Sequence, residues 1–222
     1  KNSSSNIRML QFTGSSGVAE QLAQDMNGRI RVEDAGFDWK VIGPDYSSEW
    51  DDYVAWQCDE DAYNASGQKC SAQSILFVHE NWTDHLMPKL KTLAERRQLD
   101  NLSIGPVLTW NNKDMMNHIN GLLKIPGAKV LFGNETLESH NIPSVYGSLK
   151  PTAVEVPVEQ LMTEHFDLIT SEVFGPVQVI VNYKHDQLPI ILETLEKIPL
   201  HLTAAVVSND PLFQQQVLGL TV

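Results

Sequence analysis

An α/β fold built on a largely parallel sheet is what this sequence predicts. Short apolar runs with β-branched and aromatic content alternate with longer stretches whose apolar residues recur three or four positions apart. Glycine, proline, serine and aspartate gather between them, where turns belong. Neither an internal repeat nor a low-complexity segment interrupts the alternation, which is the order that parallel strands joined by crossover helices require.

Residues 7–12 (IRMLQF) read as a strand that stops at Thr13-Gly14-Ser15-Ser16-Gly17, and Val18, Leu22 and Met26 follow at helical spacing. Strand, glycine-serine turn and helix make half of a βαβ unit. Residues 30–32 and 39–42 read as further strands on either side of Glu33-Asp34-Ala35-Gly36. Residues 51–65 read as a helix ending near Gly67, and residues 74–79 (SILFVH) as a strand. Trp82, Leu86, Leu90 and Leu93 mark an amphipathic helix begun by Asn81. Met115, Ile119 and Leu122 mark another, beyond Gly105-Pro106. Residues 128–132 read as strand, 133–150 as loop, and 152–156 and 177–181 as strands. Leu188, Ile191, Leu195 and Ile198 form a helical stripe with Pro189 in its first turn. Residues 202–207 read as a last strand, and Asp210-Pro211 opens a last helix.

At 222 residues the chain can bury a sizeable core, in one large domain or two small ones. Its 42% hydrophobic and 20% charged residues are those of an ordinary globular protein. A net charge of −12 with no basic run argues against a nucleic-acid partner. No apolar stretch approaches the ~18 residues of a membrane span. The two cysteines, Cys58 and Cys70, are too few for a disulfide scaffold and imply a reducing compartment. The opening Lys1-Asn2-Ser3-Ser4-Ser5 carries no signal or transit pattern, and both ends read as cut from something longer. Without a secretory signal, the five Asn-x-Ser/Thr sequons at Asn2, Asn64, Asn81, Asn101 and Asn134 read as chance. Seven histidines form no His-Glu-x-x-His, and two cysteines twelve apart make no zinc pattern, so no metal site is expected. Asp51, Asp52, Asp59, Glu60 and Asp61 read as a solvated helix face.

The chemistry concentrates at Ser66-Gly67-Gln68-Lys69-Cys70-Ser71. A cysteine just after a glycine, in a polar surround where a helix ends, suits a nucleophile that attacks an aldehyde carbon. An aldehyde carbonyl cannot expel hydride directly. A thiolate that adds to it gives a tetrahedral thiohemiacetal, which can release hydride to a nicotinamide and leave a thioester. Such a thiol must be accessible, with a lowered pKa and backbone N–H groups near the developing oxyanion. Gly67 permits close backbone approach to a ligand, and Lys69 brings positive charge next to the thiol in sequence. From the hexapeptide alone, a nucleophile and a buried small hydrophobe fit Cys70 equally well. Cys58, in Trp56-Gln57-Cys58-Asp59 on a helix with no glycine nearby, reads as structural.

Three motifs in order separate these readings. Gly67-Gln68-Lys69-Cys70 resembles the catalytic cysteine motif of the aldehyde dehydrogenase superfamily. Phe12-Thr13-Gly14-Ser15 is similar to that family's strand–turn–helix contact with the coenzyme pyrophosphate. Ser171-Glu172-Val173-Phe174-Gly175-Pro176-Val177 is similar to its late Glu-x-Phe-Gly-Pro-Val motif. The resemblance covers essentially the whole chain. It implies a three-layer aldehyde dehydrogenase catalytic domain over residues 35–222, with residues 1–34 as the trailing piece of a dinucleotide-binding domain and the remainder of the enzyme outside this chain. It implies Cys70 as nucleophile and Gly14, Ser15 and Ser16 on the pyrophosphate. Glu172 would then hold the nicotinamide ribose, with Phe174 packed beside it. Alone, the Gly14 turn would read as a capped helix start and Glu172 as a turn residue. No Gly-x-Gly-x-x-Gly fingerprint occurs, and the family binds its dinucleotide without one.

Thioester hydrolysis calls for a carboxylate that activates water. Glu33 stands where the family carries its general base, in a Glu-x-Gly-Gly-Lys context. The match departs at Ala35 and Phe37, in the places of the first glycine and the lysine, and in a slightly long interval to Cys70. Asp34 is the adjacent alternative, and on residue type alone either reads as a solvated surface acid. Ser71, after the nucleophile, resembles the 1-pyrroline-5-carboxylate (glutamate-γ-semialdehyde) dehydrogenases, where that serine contacts the substrate carboxylate; alone it reads as a capping or packing residue. Glu33-Asp34-Ala35-Gly36-Phe37-Asp38-Trp39-Lys40 and Trp56-Gln57-Cys58-Asp59 resemble the plant branch, family 12. That resemblance implies NAD-dependent oxidation of glutamate γ-semialdehyde in the mitochondrial matrix, as the last step of proline catabolism. It implies a homo-oligomer that takes a small-molecule aldehyde, and the charge and the absence of a long apolar stretch point to neither nucleic acid nor membrane as partner. NAD against NADP and oligomer size stay open. The family's oxyanion asparagine lies upstream of Lys1 and its carboxylate-anchoring loop beyond Val222, which implies that this segment does not catalyse alone. Two other readings are an aldehyde dehydrogenase for another semialdehyde or an aliphatic aldehyde, and an inactive scaffold for oligomer contacts.

Overall fold

The computed structural model describes residues 7–34 and 36–221. The Asn2 sequon, Ala35 of the Glu33 stretch and Val222 lie outside them. The chain forms two compact units, the first ending at Gly36 and the second starting at Phe37.

In the first unit β1 (Leu10–Thr13) and β2 (Ile30–Glu33) run parallel, with Thr13 opposite Glu33, and α1 (Ser16–Asp25) connects them. The helix exits through Asn27 and Gly28, both with positive φ, and the Gly28 N–H reaches back to the Ala23 carbonyl at 2.9 Å.

The second unit holds a six-stranded sheet in the order β5-β6-β7-β4-β3-β8. Its strands are β3 (Asp38–Ile42), β4 (Gln73–His79), β5 (Lys129–Phe132), β6 (Thr152–Glu155), β7 (Val177–Tyr183) and β8 (Ala204–Val207). Only the edge pair β5–β6 is antiparallel among these. The central strands are apolar on both faces, as a sheet covered on both sides must be. Along β4, Ile75 and Phe77 face one core while Leu76 and Val78 face the other. Helices α2 (Asp51–Tyr63) and α3 (Glu80–Glu95) cover the Leu76 side, through residues such as Val54, Cys58, Leu86 and Leu90. Helices α4 (Asn112–Leu122), α6 (Leu188–Lys197) and α7 (Pro211–Thr221) cover the Ile75 side, with a short α5 (Phe166–Ile169). The result is three layers around a largely parallel sheet, as expected.

Local chemistry moved several boundaries. His79, rather than Asn81, caps α3: its Nδ1 accepts from the Asn81 N–H at 3.2 Å, and the Asn81 side chain donates to the Pro44 carbonyl. Burial lowers the His79 pKa and keeps the imidazole neutral, as that acceptor role requires. Residues 133–150 are less of a loop than expected, because Thr136 bridges Leu149 and Gly147 bridges Val107. Helix α5 and the 3-10 turn Val158–Met162 are too short to carry a readable period.

The acidic face of α2 is a correction of another kind. Asp52 is solvated, yet Asp59 is fully buried and Asp51 nearly so. Asp59 accepts from the buried Arg97 at 2.6 Å and from Arg96 at 3.3 Å, and Asp61 accepts at 2.5 Å from Lys40, itself buried on β3. A helix of 13 residues packed on a sheet cannot turn every acid outward, so the inward ones are matched by cations. Arg97→Met would leave the Asp59 carboxylate buried beside too little positive charge. We expect it to cost about 3–5 kcal/mol of stability, read as a lower urea midpoint, with the exposed-pair variant Lys91→Met near wild type.

Candidate active site

Helix α2 ends at Tyr63, and the chain leaves it through a 3-10 turn, Asn64–Gly67. Ala65, Ser66 and Gly67 then take φ values of 54°, 57° and 70° in succession. Each non-glycine residue held in that left-handed region costs roughly 1–2 kcal/mol, so the surroundings must hold them there. Ser66 Oγ accepts from the Gly105 N–H at 2.8 Å and donates to the Gly105 carbonyl at 3.1 Å. The Gln68 amide donates to the Pro106 carbonyl at 3.0 Å and accepts from the Leu108 N–H at 2.8 Å. Gly67 lies against Gly175: a Cβ built on it would stand 2.1 Å from the Gly175 carbonyl oxygen. The thiol motif and the Glu172 motif, remote in sequence, are therefore in backbone contact.

Cys70 emerges from this fixed base exposed, and Ser71 is exposed beside it before β4 begins. The Ser71 carbonyl accepts from Thr203 Oγ1 at 3.4 Å. Lys69 sends its ammonium to the Glu60 carbonyl at 3.1 Å, at the negative end of α2. Its charge is thus bound to the helix end. Cys58 is fully buried, 3.8 Å from the Lys40 ammonium, and burial pushes its thiol pKa up, which suits a structural residue.

Glu172 and Phe174 are half-buried on the turn that enters β7, while Val173, Gly175 and Pro176 are buried. Two tight backbone bonds shape it, Gly175 N–H to the Val173 carbonyl at 2.7 Å and Val177 N–H to the Gly175 carbonyl at 2.8 Å.

In the first unit the Gly14 N–H donates to the Glu33 carbonyl at 3.1 Å, so the expected phosphate turn and the expected base meet at the carboxyl ends of two parallel strands. Ser15 begins α1 in extended geometry and its side chain makes no capping bond. Beyond its own turn of helix, no described residue of the first unit lies within 4 Å of a Cβ built at Gly17. An uncapped helix start with open space over it fits the diphosphate of a dinucleotide, which backbone N–H groups and the helix dipole would hold. Glu33 is exposed and Asp34 half-buried. Among the described residues no cluster of potential metal ligands occurs, and no helix is long and apolar enough to cross a membrane.

Sequence reasoning quoted Ser66 and Gln68 within the thiol motif but gave them no role, and it passed over Tyr63, Gln73 and Gln178; these polar groups hold the thiol segment. One of them did leave a signal: Gln178 is the polar interruption in the apolar strand of residues 177–181.

This fold and this thiol segment define a class. The chain matches the sequence profile described as the aldehyde dehydrogenase family over residues 2–218, and it belongs to that family. An Arabidopsis thaliana protein named mitochondrial delta-1-pyrroline-5-carboxylate dehydrogenase 12A1 is 61% identical over 217 residues, covering 96% of this chain and 39% of that protein. A probable aldehyde dehydrogenase of Linum usitatissimum is 60% identical over 219 residues, covering 98% of this chain and 39% of that one. The chain thus spans about two fifths of the length of these curated relatives. Among solved structures, a glyceraldehyde-3-phosphate dehydrogenase of Methanocaldococcus jannaschii complexed with NADP matches at a TM-score of 0.79 and 17% identity, over 97% of this chain and 44% of that one. That likeness shows the fold.

The two thiols give a direct check. With iodoacetamide, Cys70 should be carboxymethylated at least about ten times faster than Cys58 in the folded protein, because the buried thiol is shielded and protonated. Peptide mapping reads the ratio, and faster labelling of Cys58 would remove Cys70 as nucleophile.

Proposed function

We propose that this chain is the thiol-bearing part of an enzyme that oxidises L-glutamate γ-semialdehyde, the open form of 1-pyrroline-5-carboxylate, to glutamate in proline catabolism. The observation that carries it is an exposed Cys70 on a segment locked against the Glu172–Pro176 turn. The 61% identity to the Arabidopsis enzyme supports the choice of substrate, and the word mitochondrial in that protein's name supports placement in the matrix. We assign residues 1–34 to a coenzyme-binding domain and 35–222 to the catalytic domain. The working form is a homo-oligomer.

The thiolate of Cys70 adds to the aldehyde carbon, and oxidation of the resulting thiohemiacetal leaves a thioester on the same sulfur. NAD, when bound, supplies the two-electron acceptor. Gly14, Ser15 and Ser16 hold its diphosphate through backbone N–H groups at the start of α1. Glu172 accepts hydrogen bonds from the ribose hydroxyls, and Phe174 limits the ribose on one side. Glu33 removes a proton from water, which hydrolyses the thioester and frees Cys70. The Ser71 hydroxyl donates to the substrate's carboxylate, which separates this aldehyde from aliphatic ones of similar length.

In the intact enzyme, glutamate semialdehyde should be oxidised in preference to succinate semialdehyde and to propanal, and with NAD in preference to NADP. A preference for the aliphatic aldehyde would sink the substrate assignment. Ser71→Ala should lower kcat/KM for glutamate semialdehyde by about 10–100-fold, the worth of a hydrogen bond to a charged group, and leave propanal oxidation nearly unchanged. Glu33→Gln should keep the first burst of reduced coenzyme while steady turnover falls about 10²–10⁴-fold. Should Asp34→Asn do this and Glu33→Gln not, the base is Asp34.

A further inference from the structure

At the two ends of the segment that carries Cys70 runs a buried chain of hydrogen bonds with one direction. Gln73 Nε2 donates to Gln178 Oε1 at 2.7 Å, Gln178 Nε2 donates to the Tyr63 hydroxyl at 2.8 Å, and that hydroxyl donates to the Thr152 carbonyl at 3.0 Å. The Thr152 carbonyl can only accept, so the phenol must point its proton there and accept from Gln178. The Gln178 amide orientation follows, and with it that of Gln73. Tyr63 and Thr152 are fully buried, Gln178 is 1% exposed and Gln73 4%. Such a network is costly to bury, and Gln73 Oε1 at its start has no partner among the described residues, so its presence in the core calls for a reason.

Its placement supplies one. Tyr63 is the last residue of α2 and Gln73 the first of β4, so they bracket residues 64–72, the segment that presents Cys70. One amide, that of Gln178, binds both brackets. Gln178 itself sits two residues beyond Pro176, on the strand that issues from the Glu172 turn, and Thr152 at the far end of the chain donates its N–H to the Pro176 carbonyl at 2.8 Å. Gly67 rests on Gly175 as well. Nucleophile segment and Glu172 turn are therefore clasped twice, once by backbone contact and once through this side chain.

We propose that Gln178 is a positioning residue that fixes the Cys70 segment relative to the Glu172 turn, and so the attacking sulfur relative to the ribose end of the coenzyme. The inference rests on the functional reading above. Gln178 touches neither substrate nor coenzyme and acts through Tyr63 and Gln73. A displacement of about 1 Å at the reacting atoms costs on the order of 100-fold in rate.

Gln178→Leu and Tyr63→Phe, made in the intact enzyme, test it. The first removes both ties, while the second removes one hydroxyl and keeps the ring, so it folds even where the first does not. Both should lower kcat by about 10–100-fold with KM for aldehyde and coenzyme within about 3-fold of wild type. The iodoacetamide rate at Cys70 should change by about 5-fold or more in both, at temperatures well below the unfolding midpoint. A lowered midpoint with kcat and alkylation rate at wild-type values would make Gln178 an ordinary buried packing residue and overturn the proposal. If the wild type oxidises no aldehyde, the functional reading fails. The alkylation rates would still decide whether Gln178 positions the thiol segment.

Discussion

Gly67 has no room for a side chain. Its backbone sits in the left-handed region at φ 70°, and the carbonyl oxygen of Gly175 occupies the space a Cβ would need. Much of the second unit's arrangement around Cys70 follows from that contact. For the two glycines to meet, α2 must end before them, the chain must reverse through Ala65 and Ser66 in a conformation neither residue favours, and β4 and β7 must lie side by side. The segment at Gly105–Leu108 supplies the backbone groups that Ser66 and Gln68 bind. The unfavourable conformation persists because several independent groups enforce it at once.

The ionic groups beneath α2 serve the same end. Arg97 joins Asp59 to the Ser103 carbonyl, and so links the last turns of α2 to the loop that leads into Gly105, the partner of Ser66. Lys69 returns to the Glu60 carbonyl on that same helix end. The surround that reads as a source of charge for the thiol is largely occupied with holding the helix terminus. An activated thiolate would therefore depend on exposure, on nearby backbone N–H groups and on the bound coenzyme more than on Lys69.

Two local designs carry the candidate site. The first unit presents an uncapped helix start beside the carbonyl of Glu33, at the carboxyl ends of two parallel strands. The second presents a thiol on a segment fixed by glycine contact and buried amides. In the first the contact is between backbone groups; in the second, backbone contact is joined by buried side chains that bond one another.

By itself the sequence determined the order of strands and helices, because burying each apolar face sets a period of two or of 3.6 that can be read locally. It also carried the three motifs, since glycine and proline positions that turns demand leave a pattern in order. Only the tertiary structure decided which polar residues turned inward. Asp59 lies on α2 and Arg97 just beyond the end of α3, Gln73 and Gln178 lie on different strands, and His79 became a cap through a ring nitrogen that composition does not mark. A buried polar group is specified by its partner, and the partner is distant in sequence, so local periodicity has no means to report it. The same holds for Gly67: its place after α2 was legible, and its reason, a carbonyl more than a hundred residues on, was not.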